Sequence, residues 1–145
     1  MGRIFEDILQ QDGRLVYKTK GVSMNPMLYQ NRDVVIIEVP DGRLKPYDVV
    51  FYKRKNYYVL HRIISVDDTY YYIRGDNTYS LEKVPHSAVI GVLTAFIRKG
   101  RQYTVTDKRY LCYVKVWCAL YPFRKAYRIL RSLIGKALRK MGFRK

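Results

Sequence analysis

The acidic residues of this 145-residue chain are confined to its first part. All 12 of them lie before position 108, together with 16 of the 28 lysine and arginine residues, so residues 1–107 have a net charge of +4. Residues 108–145 contain the other 12 basic residues and no acidic one, which gives them a net charge of +12. A long tract of one sign is typical of segments that contact an anionic surface. We therefore expect two parts, a mildly basic globular domain at 1–107 and a basic tail at 108–145.

The first part is predicted to be mostly β. A short amphipathic helix is expected at 3–11, because apolar residues recur there with helical spacing and a turn at Asp12-Gly13 ends it. The segments that follow are rich in strand-forming residues and have no helical pattern between them: 34–39, 48–53, 57–66, 70–74, 89–98 and 102–106. Successive strands without intervening helices form antiparallel or mixed sheets. The sequence thus predicts small antiparallel or mixed β-sheets around one core, preceded by a short N-terminal helix.

The tail has the pattern of a basic amphipathic helix. From Phe123 onward, apolar residues recur with helical spacing, and basic residues occupy the positions between them. Trp117, Tyr121 and Phe123 are of the residue types that settle at the boundary between headgroups and acyl chains. We therefore expect residues 108–145 to lie on an anionic membrane surface. Nucleic acid is a less suitable partner, because an apolar face has no use on a phosphate backbone. Packing of that face on the β-domain is the open alternative.

The sequence also predicts a location for the chain. The longest apolar stretch, 110–123, is interrupted by Lys115 and is shorter than the about 20 residues that a spanning helix needs. The N-terminus has no apolar run typical of a signal peptide. We therefore expect a cytoplasmic protein, peripheral on the inner face of the membrane if the tail binds lipid. Two cysteines and two histidines exclude a disulfide framework and a zinc finger.

Three segments of the first part carry polar residues suited to chemistry. They are KGVSMNPML at 20–28, YDVVFYKRKNYYVLHRIISV at 47–66 and YIRGDNTYSLE at 72–82. Their order and spacing resemble those of the serine peptidases that include signal peptidase I and the self-cleaving domain of LexA-type repressors. In that group a Ser-Met-x-Pro turn carries the nucleophile, a strand carries the general base followed by arginine, and a Gly-Asp-Asn turn closes the site. The resemblance covers roughly residues 15–97 and implies a β-fold of the signal-peptidase/LexA-like type.

The resemblance implies four catalytic residues. Ser23 matches the nucleophile, and His61 matches the base, as in the Ser-His branch of endoplasmic-reticulum and archaeal signal peptidases. A serine hydroxyl needs a neighbouring base to take its proton, and a histidine with an ordinary pKa of about 6.5 is already neutral at pH 7. A carboxylate is expected to orient the histidine. Asp76 is the first choice for that role, and Glu82 is the second.

The resemblance also implies how substrate is bound. An extended peptide is expected to add as a β-strand between residues 17–22 and the strand at 57–60. The residues predicted to contact it are Gly21, Val22, Met24, Tyr58 and Leu60. The backbone N–H of Ser23 is the expected oxyanion donor. The resemblance implies small substrate side chains at the positions just before the cleaved bond. It also implies that the reaction needs no metal or cofactor.

The function predicted on this basis is a serine endopeptidase that cleaves a precursor or leader peptide. Because no spanning helix is expected, a dedicated substrate is favoured over general secretory processing. Two alternatives come from other classes: a LexA-like module that cleaves itself or a partner, and a non-catalytic module that keeps the peptide groove. Each residue also has a plain structural interpretation, because serine and aspartate are common in turns and histidine is common in cores.

Overall fold

The structure, a computed structural model, describes residues 2–142, and for Gly2 and Arg3 it describes the backbone alone. Phe143 to Lys145, the end of the predicted tail, lie outside the described residues. The chain divides into two compact units, Met1–Leu111 and Cys112–Lys145. Within residues 2–142, no helix is both long enough and apolar enough to cross a membrane.

In the described part of the chain, the first unit has one helix followed by eight strands. Valine, isoleucine and tyrosine fill most of the strand positions, and such side chains pack well on a pleated surface. The elements are α1 (Gly2–Asp12), β1 (Arg14–Lys18), β2 (Val34–Glu38), β3 (Val49–Arg54), β4 (Tyr57–Val66), β5 (Tyr70–Arg74), β6 (Glu82–Pro85), β7 (Val89–Arg98) and β8 (Arg101–Thr104), with a 3-10 turn at His86–Ala88.

The eight strands form a single antiparallel sheet. Its order is β1-β2-β7-β3-β4-β5-β6, and β8 also pairs with β7. β7 joins the two halves, because it pairs with β2 through residues 92–97, with β3 through 89–92 and with β8 through 95–98. A strand has only two edges, so β3 and β8 share the edge of β7 opposite β2.

The hairpin of β3 and β4 has two different faces. Val50 pairs with His61, and Phe51 pairs with Leu60. Side chains alternate along a strand, so His61 lies on the face of Val50 while its neighbour Arg62 lies on the face of Phe51. The first face joins a buried cluster of apolar residues: Val50, Tyr52, Ile63, Tyr71, Ile73 and Val84.

The mostly β fold with a short N-terminal helix and a C-terminal helix is confirmed. The predicted small sheets are replaced by one sheet, because β7 is long enough to pair with strands from both halves. Two short strands, β1 and β6, were not predicted. The tail contains two helices, α2 (Lys108–Ala119) and α3 (Tyr121–Lys140), rather than one helix from Phe123 onward. The second helix has Pro122 in its first turn, where the missing N–H costs no hydrogen bond.

Candidate active site

Ser23 lies in the turn that follows β1. The turn begins at Gly21, whose φ of +82° is left-handed backbone that glycine adopts without strain. The Asn25 amide donates to the Val22 carbonyl over 3.2 Å, which closes the chain around Ser23. The Met24 side chain is buried, whereas Ser23 itself is half-buried. The backbone hydrogen bond across the turn and the buried side chain of Met24 therefore fix the position of Ser23.

The turn at 75–77 holds the Ser23 segment in place. The Asn77 amide donates to the Ser23 carbonyl over 2.8 Å, and the Asn77 side-chain nitrogen donates to the Val22 carbonyl over 3.2 Å. A Cβ added to Gly75 would lie 2.6 Å from the Ser23 carbonyl oxygen and 3.0 Å from Nε2 of His61. Glycine is therefore required at position 75 by the close approach of both predicted catalytic residues.

The two ring nitrogens of His61 face different partners. Nε2 lies beside Gly75, on the same side as the Ser23 carbonyl, since a Cβ at Gly75 would meet both. Nδ1 lies 3.5 Å from the Tyr52 hydroxyl and 3.6 Å from Oε1 of Glu82. Among the described residues, no hydrogen bond joins the Ser23 hydroxyl to Nε2; in free enzymes such bonds are often long and shorten when substrate binds. The ring thus has one nitrogen beside the Gly75 turn and the other beside the carboxylate of Glu82. In a catalytic triad, one ring nitrogen meets the serine and the other meets a carboxylate.

Glu82 is the carboxylate that faces Nδ1. It is the first residue of β6, and β6 places it opposite Ile73 on β5. The Tyr52 hydroxyl donates to Oε2 over 2.8 Å, and Arg54 donates to Oε1 over 3.3 Å. Burial, and then the Glu82 carboxylate, raise the pKa of Tyr52 far above its ordinary value, so the phenol is a permanent donor. These two donors fix the carboxylate of Glu82 beside the ring.

Asp76 is bound to a different partner. Its two oxygens accept from Nε and one terminal nitrogen of Arg62, each over 2.8 Å. The two side chains are 1% and 2% exposed. Burial alone would lower the pKa of Arg62, but the charge and hydrogen bonds of Asp76 outweigh it and raise that pKa. This geometry favours Glu82, the second choice from the sequence, over Asp76 as the acid that orients His61.

The surroundings of His61 favour its neutral form. Burial is the largest influence and lowers the pKa of the imidazole below its usual value of 6.5. Glu82 acts in the opposite direction, Arg54 lowers the pKa further, and Asp76 raises it. The net direction is downward, so His61 is an unprotonated base at neutral pH.

An apolar groove of about 480 Å³ opens beside Ser23. Phe5 of α1, Tyr17 of β1, Phe51 of β3 and Tyr58 of β4 form an aromatic cluster along it, with ring centroids 5.3–6.1 Å apart. Burial raises the pKa of Tyr17 to about 12. The remaining lining residues are Thr19, Lys20, Gly21, Ser23, Met24, Leu28, Tyr57, Val59 and Leu60.

Two strand edges without a partner strand belong to elements that line the groove, within the part of the chain that the structure describes. Residues 57–60 of β4 pair with β3 on one edge, and the pairing of β4 with β5 begins only at Arg62. β1 pairs with β2 and has no strand on its other edge. An extended peptide can add to such an edge through main-chain hydrogen bonds.

The structure brings together most of the residues that the sequence singled out. Ser23 lines the groove, the Gly75 turn lies against both the Ser23 carbonyl and the His61 ring, and Glu82 lies beside the other ring nitrogen. Asp76 is paired with Arg62. Four of the residues predicted to contact substrate line the groove, namely Gly21, Met24, Tyr58 and Leu60. Val22 does not line it, and its side chain is half exposed to solvent.

Three residues of the site were not assigned a role from the sequence. Tyr52 is two residues from Val50, which pairs with His61, so strand pairing alone would have placed its side chain on the histidine's face. Arg62 directly follows His61 in the sequence. Its full burial is evident only from the structure, where Asp76 faces it. Gly75 was identified from the sequence only as part of a turn. In the structure, its missing side chain leaves room for the Ser23 carbonyl and the His61 ring.

No group of three or more histidine, cysteine, aspartate and glutamate side chains within residues 4–142 is placed to hold a metal ion. Comparison with known proteins gave no family model that matches the chain and no similar curated protein.

Asp76 and Glu82 are expected to respond differently to loss of charge. Asp76→Asn leaves the buried Arg62 guanidinium without its counter-charge, and breaking such a pair costs about 3–5 kcal/mol. Glu82→Gln keeps an acceptor for Tyr52 at a partly exposed position, so its cost should be at most about 1 kcal/mol. Chemical denaturation of the two variants measures the difference. Equal losses in the free energy of unfolding would contradict this division of roles.

The pKa of His61 is expected to lie below 6.5 and to fall further in Glu82→Gln. The reason is that the carboxylate stabilises the imidazolium, so removing its charge makes protonation harder. An NMR titration of the imidazole resonances measures both values, and His86→Gln identifies which resonances belong to His61. A pKa that stays unchanged or rises in Glu82→Gln would place the carboxylate away from the ring in solution.

Proposed function

We propose that this protein is a serine endopeptidase in which Ser23 is the nucleophile, His61 the general base and Glu82 the acid that orients the base. The observation that carries the proposal is the placement of the buried His61 ring, with Nε2 beside the Gly75 turn that also meets the Ser23 carbonyl, and Nδ1 beside Glu82. The resemblance of the three sequence segments to signal peptidase I and LexA-type peptidases supports the same assignment.

In the proposed reaction, the Ser23 oxygen attacks the carbonyl carbon of the scissile peptide bond while Nε2 of His61 takes the hydroxyl proton. Glu82 holds the Nδ1–H side of the ring and stabilises the imidazolium that forms. The imidazolium then gives its proton to the leaving amine as the C–N bond breaks. Water, deprotonated by the same nitrogen, hydrolyses the acyl-enzyme and restores the serine hydroxyl.

The negative charge that develops on the carbonyl oxygen needs a donor aimed at it. The backbone N–H of Ser23 is the natural candidate, because it belongs to the same residue as the attacking oxygen and the oxyanion forms on the carbonyl that this oxygen attacks. Gly21, two residues earlier, offers no side-chain donor. The bonds from Asn77 to the carbonyls of Ser23 and Val22 hold the peptide units on which that donor depends.

The substrate is proposed to be an extended segment of a precursor or leader peptide. Its backbone would pair with the open edge of β4 at residues 57–60, opposite the segment at 17–22. The groove is lined by aromatic and aliphatic side chains, so apolar substrate residues would fill it. The groove also has room for larger side chains than the small ones that the resemblance implies just before the cut.

Two other functions lead to different results in the same assay. A LexA-like regulatory module would cleave its own chain, so the purified protein would produce fragments on incubation without added substrate. A non-catalytic peptide-binding module would bind extended apolar peptides and leave them intact. The triad-like placement of His61 favours cleavage over binding alone, because a binding module has no need of a neutral base. A self-cleaving module would use the same residues, so the assay without added substrate separates it from the peptidase.

Ser23→Ala is expected to abolish peptide cleavage, with a loss on the order of 10³-fold or more, and to leave the fold unchanged. Ser80→Ala is the matched control, because it removes the same hydroxyl from an exposed position after the 75–77 turn. Mass spectrometry of a random peptide library after incubation measures cleavage and identifies the residues around the cut. Cleavage by Ser23→Ala at the rate of the unaltered protein would overturn the proposal.

Cleavage is expected to depend on pH through His61. The base works when neutral, so activity should be lost as the pH falls through a midpoint below 6.5 and should reach a plateau near neutral pH. In Glu82→Gln that midpoint should shift to lower pH, and the plateau rate should fall by roughly 10²–10⁴-fold. The pH dependence of kcat/KM for one library-derived peptide tests this. A rising limb above pH 8 would point to a lysine base instead.

A further inference from the structure

The second helix of the tail exposes a continuous apolar face. α3 has 20 residues, and none of its side chains is buried. At 1.5 Å per residue, it is about 30 Å long. Its exposed large apolar residues, between 51% and 72% accessible, are Phe123, Tyr127, Ile129, Leu130, Leu133 and Ile134.

Apolar and basic side chains occupy opposite sides of α3, except that Ile129 lies among the basic residues. Successive residues of an α-helix are about 100° apart, which places Phe123, Tyr127, Leu130 and Ile134 along one line of the helix surface. The basic residues all fall on the other half of the circumference: Arg124, Lys125, Arg128, Arg131, Lys136, Arg139 and Lys140. The helix therefore presents one apolar side and one strongly positive side for most of its length.

The charge of the tail limits the chemistry of any partner. Residues 108–145 contain no acidic side chain, so the partner surface must be anionic. It must also offer an apolar layer next to its charges, because the apolar half of α3 is as long as the basic half. Anionic lipid provides both, with phosphates at the headgroup level and acyl chains below them. Nucleic acid provides the charge alone.

We propose that α3 is an interfacial helix that binds anionic phospholipid, with its apolar side in the acyl layer and its basic side at the headgroups. The proposal is independent of the peptidase activity, because it uses no residue of the groove or the triad. Tethering at a lipid surface would concentrate this protein where substrates at that surface are presented.

The corner between α2 and α3 supplies a reporter for this binding. The Arg124 guanidinium carbon lies 3.9 Å from the centre of the Trp117 ring, and a terminal nitrogen of Arg124 donates to the Trp117 carbonyl over 3.2 Å. Tyr113 stacks on the same indole with a centroid distance of 5.9 Å. Trp117 is the single tryptophan of the chain, so its fluorescence reports on this unit without interference.

The test uses the full chain with two kinds of vesicle. Vesicles of phosphatidylcholine with phosphatidylglycerol should carry the protein into the pellet at low salt and shift the Trp117 emission to the blue. Vesicles of phosphatidylcholine alone should bind it more weakly. Failure to bind the anionic vesicles, or equal binding to both kinds, would overturn the proposal.

Two variants with the same change in charge separate lipid insertion from simple attraction. Ile134→Glu places a carboxylate on the apolar side, whereas Ser132→Glu places one on the basic side. Ile134→Glu should weaken vesicle binding by about tenfold more than Ser132→Glu, because only it loses apolar contact with the acyl layer. Equal weakening would overturn insertion, because it would show that charge alone holds the helix on the vesicle. Two results together would show that the apolar side packs on the protein itself and would overturn the proposal. They are a lower free energy of unfolding for Ile134→Glu than for the unaltered chain, and no binding of the unaltered chain to anionic vesicles.

Discussion

The buried charge of Arg62 is the constraint around which the first unit is arranged. Its donors reach both oxygens of Asp76, the carbonyl of Tyr47, the hydroxyl of Tyr110 and the sulfur of Met27. A guanidinium cannot lose its proton to escape burial, so each of these partners must stay in place or leave a buried charge incompletely bonded. One side chain of β4 thereby fixes the turn at 75–77 and the segment after Ser23 relative to the sheet.

The pleat of β4 explains how His61 and Arg62 can be adjacent in sequence and have different surroundings. Consecutive residues of a strand point to opposite faces, so His61 faces Tyr52 and Glu82 while Arg62 faces Asp76 and its other partners. A shift of register by one residue would exchange the two, placing a permanent cation beside Ser23 and a weak base among the partners of the ion pair. The six paired positions between β3 and β4 therefore determine the chemistry of the site as well as its shape.

The parts of the fold and site that could be predicted were those with strong local patterns. β2 to β5, β7 and β8 follow long runs of β-branched and aromatic residues, and Ser23 and His61 lie in motifs with a fixed order. β1 was not predicted, because basic residues flank its three apolar positions. β6 was not predicted, because it has only four residues and includes a proline. The choice between Asp76 and Glu82 depended on β6, since its pairing with β5 sets which carboxylate faces the ring.

The two carboxylates also show how a partner decides a role. Asp76 accepts hydrogen bonds on both oxygens from the buried Arg62 guanidinium, so its charge stabilises the scaffold. Glu82 is bound by a phenol, an exposed arginine and a ring that can gain or lose a proton. Its field on Nδ1 therefore matters most when His61 becomes charged, which in the proposed reaction happens at the transition state and not before. Chemically similar acids six residues apart thus have different surroundings, because one meets a buried arginine and the other meets the ring of His61.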